Sequence, residues 1–452
     1  MPTENNIEDA SPHITPASYL SAEVRGIGGA LKQRDEDFSV EELPLYNPSG
    51  DGEHVYLLVE KRGMPTIEML NVLSKHFRVP RRAMGYAGLK DKVAVTRQVV
   101  SIHMPGRALE DVPSLEHPRI AIQWADRHEN KLRRGHLAGN RFSIRVRGVK
   151  PEAVLDARRT LDVLTRRGLP DRVGEQRFGY LRNNHLVGRA LFMLDFDRAA
   201  RELCGMPPEG LGGVELTPDQ VEARTLFGQG DYAKARKQLP RMFATERQVL
   251  ESLAGGETPE QALLSIDPGV LSYYLSAFQS AVFNAALDDR LANGTFDTLL
   301  PGDIAVRHTA GKTARKFFAA DDVLLAEDTT ADEVRSIAIS PTGPMWGAEM
   351  QRATGKPGDA ETEALRRFGV RPEDLSRAEH LQAEMTRGTR RPYRVPLANV
   401  EVEGGIDEHG PFVRCAFDLP RGAFATTVMG EVMKNDAALG LSDEDSPAER
   451  TP

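Results

Sequence analysis

Cysteine is nearly absent from this sequence, in which 452 residues include only Cys204 and Cys415. Two thiols this far apart match neither the spacing of zinc ligands nor a disulfide framework, so both are expected to be reduced. The sequence also lacks any apolar run of the ~20 residues that would span a membrane. Residues 1–18 have neither the basic start nor the apolar stretch of a signal peptide. We therefore expect a cytoplasmic protein with no membrane partner.

The common nucleotide-binding and hydrolase motifs are missing as well. No segment matches the phosphate-binding pattern G-x-x-x-x-G-K-[ST], the zinc-binding pattern H-E-x-x-H or the nucleophile pattern G-x-S-x-G. The segment from Gly85 to Lys90 resembles a phosphate loop superficially, but its spacing is wrong and Asp91 follows the lysine in place of Ser or Thr. The sequence gives no support for ATP use or zinc hydrolysis, and we expect no cofactor and no metal.

An overall excess of basic residues is missing too. The formal net charge is −8, which argues mildly against a nucleic-acid partner because such domains usually carry a basic surface. Basic residues nevertheless cluster in the first third of the chain, while acidic residues concentrate elsewhere, as at Asp443 and Asp445. The cluster is either a local basic face or the solvated face of a strand. Its members are Arg127, Lys131, Arg133, Arg134, Arg141, Arg145 and Arg147.

The length of the chain suits two or three domains of ~100–200 residues each. Residues 1–19 and 441–452 are polar and are expected to be disordered tails.

Residues 54–60 have apolar side chains at alternate positions, which predicts a strand. Thr66 is a candidate N-cap for a helix that follows this strand. The apolar positions of that helix are Ile67, Leu70, Leu73 and Phe77.

A second strand is predicted over residues 93–102, which are rich in β-branched side chains. A short apolar piece, residues 84–87, comes before it. Asp91 is therefore predicted to lie on a tight connection between two strands, and catalytic groups are often held on such loops.

Residues 141–147 alternate apolar and mainly arginine positions, which predicts a half-buried strand with a cationic outer face. Residues 221–338 have a more helical character, with a long apolar stripe at period 3.6 from Leu271 to Ala285. Residues 411–433 return to a pattern of strand, turn and helix. A helical insertion inside a discontinuous α/β domain is one economical arrangement of these segments.

A carboxylate stands between two lysines in the segment Lys90-Asp91-Lys92. By itself this segment fits a charged turn on the surface. It also fits a nucleophilic or basic carboxylate, because flanking cations favour the charged form of a carboxyl group and would attract a phosphate backbone. The residues alone leave both interpretations open.

One segment of the chain is Gly85-Tyr86-Ala87-Gly88-Leu89-Lys90-Asp91-Lys92-Val93-Ala94-Val95-Thr96-Arg97-Gln98. It closely resembles the signature of the TruD-type tRNA pseudouridine synthases, which centres on Lys-Asp followed by Ala-Val-Thr. Other segments resemble further motifs of that family, in the family's order. These segments are Lys32 with Glu36-Asp37-Phe38-Ser39-Val40-Glu41-Glu42, Gly52-Glu53-His54, Gly139-Asn140-Arg141-Phe142, Gly168-Leu169-Pro170, Gly174-Glu175-Gln176-Arg177-Phe178-Gly179, Pro341-Thr342-Gly343-Pro344-Met345-Trp346-Gly347 and Gly422-Ala423-Phe424-Ala425-Thr426.

The resemblance implies an α+β fold. A pseudouridine-synthase catalytic domain with a mixed, mainly antiparallel sheet would be interrupted by an inserted TRUD-specific α/β domain. On this basis, residues 20–187 and 341–440 would form the discontinuous catalytic domain, and residues 188–340 the insertion. One segment departs from the family pattern. Asp171-Arg172-Val173 stands where the family typically has Asn-Tyr-Phe, which puts in doubt the polar contact of that Asn.

The resemblance also implies the reaction, which is the isomerisation of uridine to pseudouridine in tRNA, usually at position 13 near the D arm. The uracil base would be detached from ribose at N1, turned and rejoined through C5, with no cofactor. Extruding the nucleoside costs a few kcal/mol. Asp91 would be the catalytic residue, and it would act either as a covalent nucleophile or as a base at the ribose. A monomer is the default expectation.

The family motifs imply substrate contacts for a further set of residues, and each has a plainer alternative. Phe142 would stack on the base or pack in the core. Phe38 would line the pocket or be buried in the core. Lys32 would meet the substrate or pair with an acid. Gln176 and Arg177 would line the site or serve as structure between domains. The full set is Phe142, Asn140, Phe38, Lys32, Lys90, Gln176 and Arg177.

Two rival functions remain at this point. An RNA-binding module could keep the basic strand and an aromatic platform without catalysis. A glycosidase could use Asp91 on a sugar, but that chemistry generally needs two carboxylates across the bond, and the segment around Asp91 supplies no obvious second one.

Overall fold

The computed structural model describes residues 18–111, 113–208, 216–308, 317–321, 327–381 and 384–435. The predicted disorder of residues 1–19 and 441–452 lies outside this part, except for residues 18 and 19. Among the helices that these ranges contain, none is long and apolar enough to cross a membrane.

Most of the strands in the described chain join one large sheet. Its strands are β1 (Phe38–Pro44), β2 (His54–Arg62), β3 (Met84–Tyr86), β4 (Val95–His103), β5 (Ile120–His128), β6 (Leu137–Arg147), β13 (Ala398–Asp407) and β14 (Gly410–Pro420). Their order is β13-β14-β6-β1-β4-β2-β5, and β3 also pairs with β4. The β1–β4 pairing is parallel and the other pairings are antiparallel, which confirms the expected mixed, mainly antiparallel sheet.

The remaining strands form a four-stranded sheet and a separate short pair. They are β7 (Leu169–Pro170), β8 (Ile304–Arg307), β9 (Phe317–Ala319), β10 (Ile339–Met345), β11 (Thr389–Pro392) and β12 (Arg394–Val395). The four-stranded sheet has the order β11-β10-β8-β9, and β7 pairs with β12. Because β10 pairs with β8 on one side and with β11 on the other, this sheet combines segments from the middle and the later part of the chain.

The helices fall into two groups. They are α1 (Thr66–Phe77), α2 (Val154–Arg167), α3 (Asn184–Phe192), α4 (Phe196–Cys204), α5 (Pro218–Gly228), α6 (Tyr232–Gln238), α7 (Ala244–Ala254), α8 (Pro259–Leu264), α9 (Pro268–Ala292), α10 (Glu327–Arg335), α11 (Gly355–Arg366) and α12 (Ala425–Met433). α1, α2 and α12 cover the large sheet, while α3 to α11 lie between β7 and β11 in the chain. The long α9 carries the predicted apolar stripe and packs against α3 and β10.

The inner face of the large sheet is mainly apolar along β2 and β6. Phe142, Ile144 and Val146 of β6 belong to one hydrophobic cluster with side chains of α2 and α12. Val55, Leu57 and Val59 of β2 belong to another, together with side chains of α1. These clusters follow from strand geometry, because every second residue points to the same face and buries its apolar surface there.

The outer face of the same sheet carries a row of alternating charges. Asp418 of β14 is opposite Arg141 of β6, and Arg141 is opposite Glu41 of β1. Glu41 is in turn opposite Arg97 of β4, which is opposite Glu60 of β2. Opposite charges at facing positions attract each other, so the row favours this register across five strands.

Both predicted domain boundaries fall inside secondary-structure elements. The boundary at 187/188 divides α3, and the boundary at 340/341 divides β10. β10 is also tied to β8 by hydrogen-bonded pairing across the second of these boundaries. Two short strands, β7 after α2 and β12 before β13, pair antiparallel with each other.

Local predictions around the site were largely confirmed, with one correction. The strand at 54–60 extends to Arg62, the helix ends at Phe77, and residues 411–433 form β14, a turn and α12. Thr66 is the first helical residue, and the N-cap is Pro65. The Thr66 hydroxyl is engaged elsewhere, since it donates to Gln98 Oε1 at 3.1 Å.

Candidate active site

Asp91 lies on the loop that joins β3 to β4, which pair with each other as a hairpin. This confirms the predicted position between two strands. The Asp91 side chain is 41% exposed, and its Oδ1 lies 3.7 Å from Lys32 Nζ. A carboxylate in this position is open to a substrate on one side and held near a cation on the other.

Hydrogen bonds to neighbouring elements fix the loop on the N-terminal side of Asp91. The Thr66 hydroxyl accepts from the backbone N–H of Lys90 at 2.9 Å. Gln98 Nε2 donates to the carbonyl of Gly88 at 3.1 Å. The start of α1 and the strand β4 therefore set the backbone path that leads into Asp91.

Lys90, which the family motifs imply as a substrate contact, points into the protein. Its ammonium lies 2.9 Å from Glu42 Oε2 and donates to Asn140 Oδ1 at 2.7 Å. Glu42 and Asn140 face each other on β1 and β6. Of the two interpretations of Lys90-Asp91-Lys92, the charged surface turn does not hold for Lys90, because its side chain is only 5% exposed and its charge is neutralised by Glu42.

Lys61 is a part of this region that was not predicted from the sequence. Its side chain is fully buried, and Nζ donates to the Asp91 carbonyl at 2.7 Å. Burial lowers the pKa of Lys61 to about 8, with the charge of Lys90 adding to this effect and the charges of Asp91 and Asp35 opposing it. Desolvation disfavours the charged form of a lysine, which explains the direction.

The sequence contained a signal for the burial of Lys61 and of Glu42, which was not predicted. Lys61 continues the apolar register of Val55, Leu57 and Val59 on β2, and Glu42 continues the register of Phe38 and Val40 on β1. A charged side chain at a position where the strand pattern calls for an apolar one is buried with a partner or marks a functional site.

Lys32 connects Asp91 to the aromatic side chains of the inner face. Its Nζ lies 4.8 Å from the centroid of the Phe38 ring, which is cation–π distance. The backbone at Lys32 has φ of 52°, a left-handed conformation that is uncommon for residues other than glycine. The nearby Ala30 is fixed by a β-bridge to Arg147, so the chain enters this turn from an anchored position.

Phe38 and Phe142 lie in the hydrophobic core, with exposed fractions of 2% and 7%. Their rings make an edge contact at a centroid distance of 6.3 Å, and Phe142 lies 5.7 Å from Phe417 of β14. Neither ring presents an open stacking surface in this conformation. A base could reach Phe142 only at its exposed edge or after neighbouring side chains move.

Gln176 and Arg177 lie in a short 3-10 turn, residues Glu175–Phe178. The Gln176 carbonyl accepts from the Tyr273 hydroxyl at 2.8 Å, and the Arg177 guanidinium lies 4.8 Å from the centroid of the Tyr273 ring. These contacts place both residues against α9. They support the structural alternative for this pair, while the exposed Gln176 side chain keeps a substrate contact open.

Asp171, the departure from the family pattern, is buried and paired. Its carboxylate accepts from Arg391 Nη2 at 2.7 Å, and its carbonyl accepts from Arg391 Nε at 2.9 Å. The Asp171 N–H donates to the Tyr393 carbonyl at 2.8 Å. At the position where the family typically has Asn, Asp171 of this chain therefore forms an ion pair with Arg391 of β11.

The prediction of a cationic outer face on β6 was wrong. Arg141 pairs with Glu401 and Asp418, and Arg145 with Asp407. Arg147 is mostly buried and pairs with Asp37 and Asp407. The compensating acids come mainly from β13 and β14, which are far away in sequence. A pattern read along one strand does not reveal the charge on its neighbours.

Among the described residues, no group of three or more His, Cys, Asp or Glu side chains is placed to hold a metal ion. The two cysteines are buried and free, as expected for reduced thiols.

The mixed sheet, with a partly exposed aspartate on a connecting loop and a lysine beside it, agrees with what the resemblance to the pseudouridine synthases implies. Comparisons with known proteins agree with this class. The family profile of tRNA pseudouridine synthase D (TruD) matches residues 15–432. The chain belongs to the TruD family.

Three similar proteins illustrate the relationship. The tRNA pseudouridine synthase D of Syntrophotalea carbinolica is 40% identical over 420 residues, covering 93% of this chain and 100% of the relative. That of Geobacter sulfurreducens is 42% identical over 419 residues, covering 92% and 96%. A crystal structure from Methanosarcina mazei, described as a putative tRNA pseudouridine synthase D (TruD), has a TM-score of 0.80 and 25% identity, covering 96% of this chain and 99% of that one.

Proposed function

We propose that this chain isomerises uridine to pseudouridine in tRNA, at position 13 near the D arm, with Asp91 as the catalytic carboxylate. The observation that carries the assignment is the placement of Asp91. Its carboxylate is partly exposed beside Lys32, on a hairpin loop whose backbone is fixed by Thr66, Gln98 and Lys61. Such pre-organisation matters because a misplacement of about 1 Å can cost about 100-fold in rate.

In the proposed reaction the bond between N1 and C1′ breaks and a bond between C5 and C1′ forms. The proton on C5 is lost to solvent and N1 takes one up, so the reaction is a balanced isomerisation. The target uridine must first leave the RNA stack, which costs a few kcal/mol. Asp91 then acts either as a nucleophile on the nucleoside or as a base at the ribose. Both routes use the carboxylate form.

The other residues of the site have different proposed roles. Lys32 holds the Asp91 carboxylate in place, and Phe142 contacts the extruded base at its exposed edge. Lys90 acts as a positioning residue, because its ammonium binds Glu42 and Asn140. Asn140 Oδ1 accepts a hydrogen bond from Lys90, so we propose that the amide nitrogen of Asn140 contacts the base.

The proposed division into domains follows the β7–β12 pair. The catalytic domain would comprise the chain up to β7 and from β12 onwards, because both parts contribute strands to the large sheet. The segment between them, with α3 to α11 and the four-stranded sheet, would be the inserted domain. This proposal moves both boundaries away from the interiors of α3 and β10.

The assignment of Asp91 is tested by Asp91→Asn, with Asp162→Asn as the matched control. Asp162 is 47% exposed on α2, so the two substitutions remove similarly accessible carboxylates. We expect Asp91→Asn to keep tRNA binding and the thermal transition of the wild type but to release no tritium from tRNA labelled at C5 of uridine. Asp162→Asn should release tritium at the wild-type rate. Near-normal turnover in Asp91→Asn would show that another group is catalytic.

The target position is tested separately. The gene is deleted in its host, and pseudouridines are mapped across total tRNA with carbodiimide and primer extension. Loss of the modification at position 13 alone supports the proposal. Loss at a different position would keep the enzyme class and correct the site.

A further inference from the structure

The loop between β5 and β6 packs directly against β3, the strand that leads to Asp91. The Gly135 N–H donates to the Ala87 carbonyl at 2.8 Å, and the Leu132 N–H donates to Ser101 Oγ at 3.0 Å. The approach is so close that a Cβ on Gly85 would lie 2.2 Å from the Leu132 carbonyl oxygen. The loop is therefore held in one position by backbone contacts.

Three exposed arginines lie where this loop meets the start of β3. They are Arg82, Arg133 and Arg134, here called the loop arginines. No carboxylate in the described part of the chain lies within ion-pair distance of their guanidinium groups. Arg134 is oriented by the Tyr86 side chain, since it donates to the Tyr86 hydroxyl at 2.8 Å and lies 5.5 Å from the centroid of its ring.

The strand arginines Arg141, Arg145 and Arg147 differ from the loop arginines in this respect. Each of the strand arginines is paired with at least one acid. A guanidinium already bound by a carboxylate must give up that partner before it can bind a phosphate. An exposed guanidinium without an acid partner has its planar set of donors available for bidentate phosphate contacts.

The loop that carries Arg133 and Arg134 contacts the segment that leads to the proposed catalytic residue. Gly135 is bonded to Ala87, which comes four residues before Asp91, so the two Cα atoms of Ala87 and Asp91 are at most about 14 Å apart. The whole protein has a net charge of −8, which disfavours the approach of RNA. A local group of available cations beside the site offsets that repulsion and steers a polyanion towards it.

We propose that Arg82, Arg133 and Arg134 bind the phosphodiester backbone of the tRNA beside the target nucleoside. This inference rests on the proposed function for the identity of the partner as tRNA. The contacts would place the strand that carries the target uridine along β3. They would also contribute part of the free energy needed for extrusion, because phosphate contacts are the main source of affinity in such complexes.

The test compares two pairs of neighbouring arginines. Arg133→Gln/Arg134→Gln removes two loop arginines, and Arg158→Gln/Arg159→Gln removes two exposed arginines of α2 that are paired with Asp162 and Asp156. Both variants lose the same formal charge. The dissociation constant for an unmodified tRNA transcript is measured by filter binding over a series of salt concentrations. Each phosphate contact contributes about 0.7–0.9 to the slope of log K against log salt.

We expect the slope for Arg133→Gln/Arg134→Gln to fall by about 1.4–1.8 relative to the wild type, and the slope for Arg158→Gln/Arg159→Gln to stay unchanged. The single variant Arg133→Gln leaves the Arg134–Tyr86 contact intact, and its slope should fall by about half as much. This variant replaces the double variant in the test if the double variant does not fold. Equal slopes in the loop and helix variants would overturn the proposal. Pseudouridine formation by the wild type is measured on the same transcript, so failure of the proposed function would be recognised independently of the binding result.

Discussion

The two faces of the large sheet differ in how exposed their charged side chains are. On the outer face, acids and bases alternate across five strands, and Arg97 and Glu41 remain about half exposed. On the inner face near Asp91, Lys61, Lys90 and Glu42 are buried. Exposed pairs contribute ~0–1 kcal/mol each, whereas removing one partner of a buried pair costs ~3–5 kcal/mol. The difference indicates that the inner charges hold the Asp91 loop in place, and that the outer row mainly favours one strand register.

The largest expected effect is that of Lys90→Met. The variant leaves Glu42, which is 4% exposed, without its cation, so we expect the free energy of unfolding in a urea titration to fall by about 3–5 kcal/mol. The double variant Lys90→Met/Glu42→Met should recover most of that loss because it removes both charges. A loss below about 1 kcal/mol in the single variant would contradict the comparison of the two faces.

The second prediction concerns the pH dependence that Lys61 introduces. Its pKa is lowered to about 8 by burial, from an ordinary value of 10.5. Below pH 8, Lys61 is charged in the folded and the unfolded chain, and the cost of the buried charge is fully present. As the pH rises from 8 to 10.5, the folded chain releases its proton before the unfolded chain does, so the folded state gains stability.

Lys61→Met removes this titration. The free energy of unfolding of the wild type should therefore increase by about 3 kcal/mol relative to that of Lys61→Met between pH 8 and 10.5. The measurement is a set of urea titrations of both proteins at several pH values in that range. Parallel stability curves for the two proteins would show that Lys61 keeps an ordinary pKa in the folded state.

The smallest effect is expected on the outer face. Arg97→Gln removes a half-exposed guanidinium that lies 2.9 Å from Glu60 and 3.7 Å from Glu41, and it should cost no more than about 1 kcal/mol. The cost should largely disappear at about 1 M salt, where the Debye length is about 3 Å. Urea titrations at low and high salt measure the loss of stability and its dependence on salt. A salt-independent loss of several kcal/mol would mean that the outer row stabilises the fold as strongly as the inner pair does.

Local patterns were sufficient to predict many elements. The alternation in β2, the helical spacing in α1 and the stripe on α9 come from neighbouring residues in the chain, so they could be read from the sequence. The position of Asp91 between two strands followed from the same kind of pattern. The family resemblance supplied the sheet type and the reaction.

Contacts between distant segments could not be predicted in this way. The sequence does not state that β14 lies beside β6, so the acids that neutralise Arg141 and Arg145 were missed. For the same reason the interior partners of Lys90, which are Glu42 and Asn140, were not predicted. The burial of Phe142 depends likewise on Phe38 and Phe417, which come from two other strands.

The pairing of β6 with β14 has a consequence for synthesis on the ribosome. About 260 residues separate the end of β6 at Arg147 from the start of β14 at Gly410. At ~5–20 residues per second, the hydrogen-bonding edge of β6 stays uncovered for about 13–50 s during translation. The half of the chain that carries Asp91 therefore emerges early but completes its sheet only when the last strand arrives. During that interval the unpaired edge of β6 can form hydrogen bonds with strands of other chains.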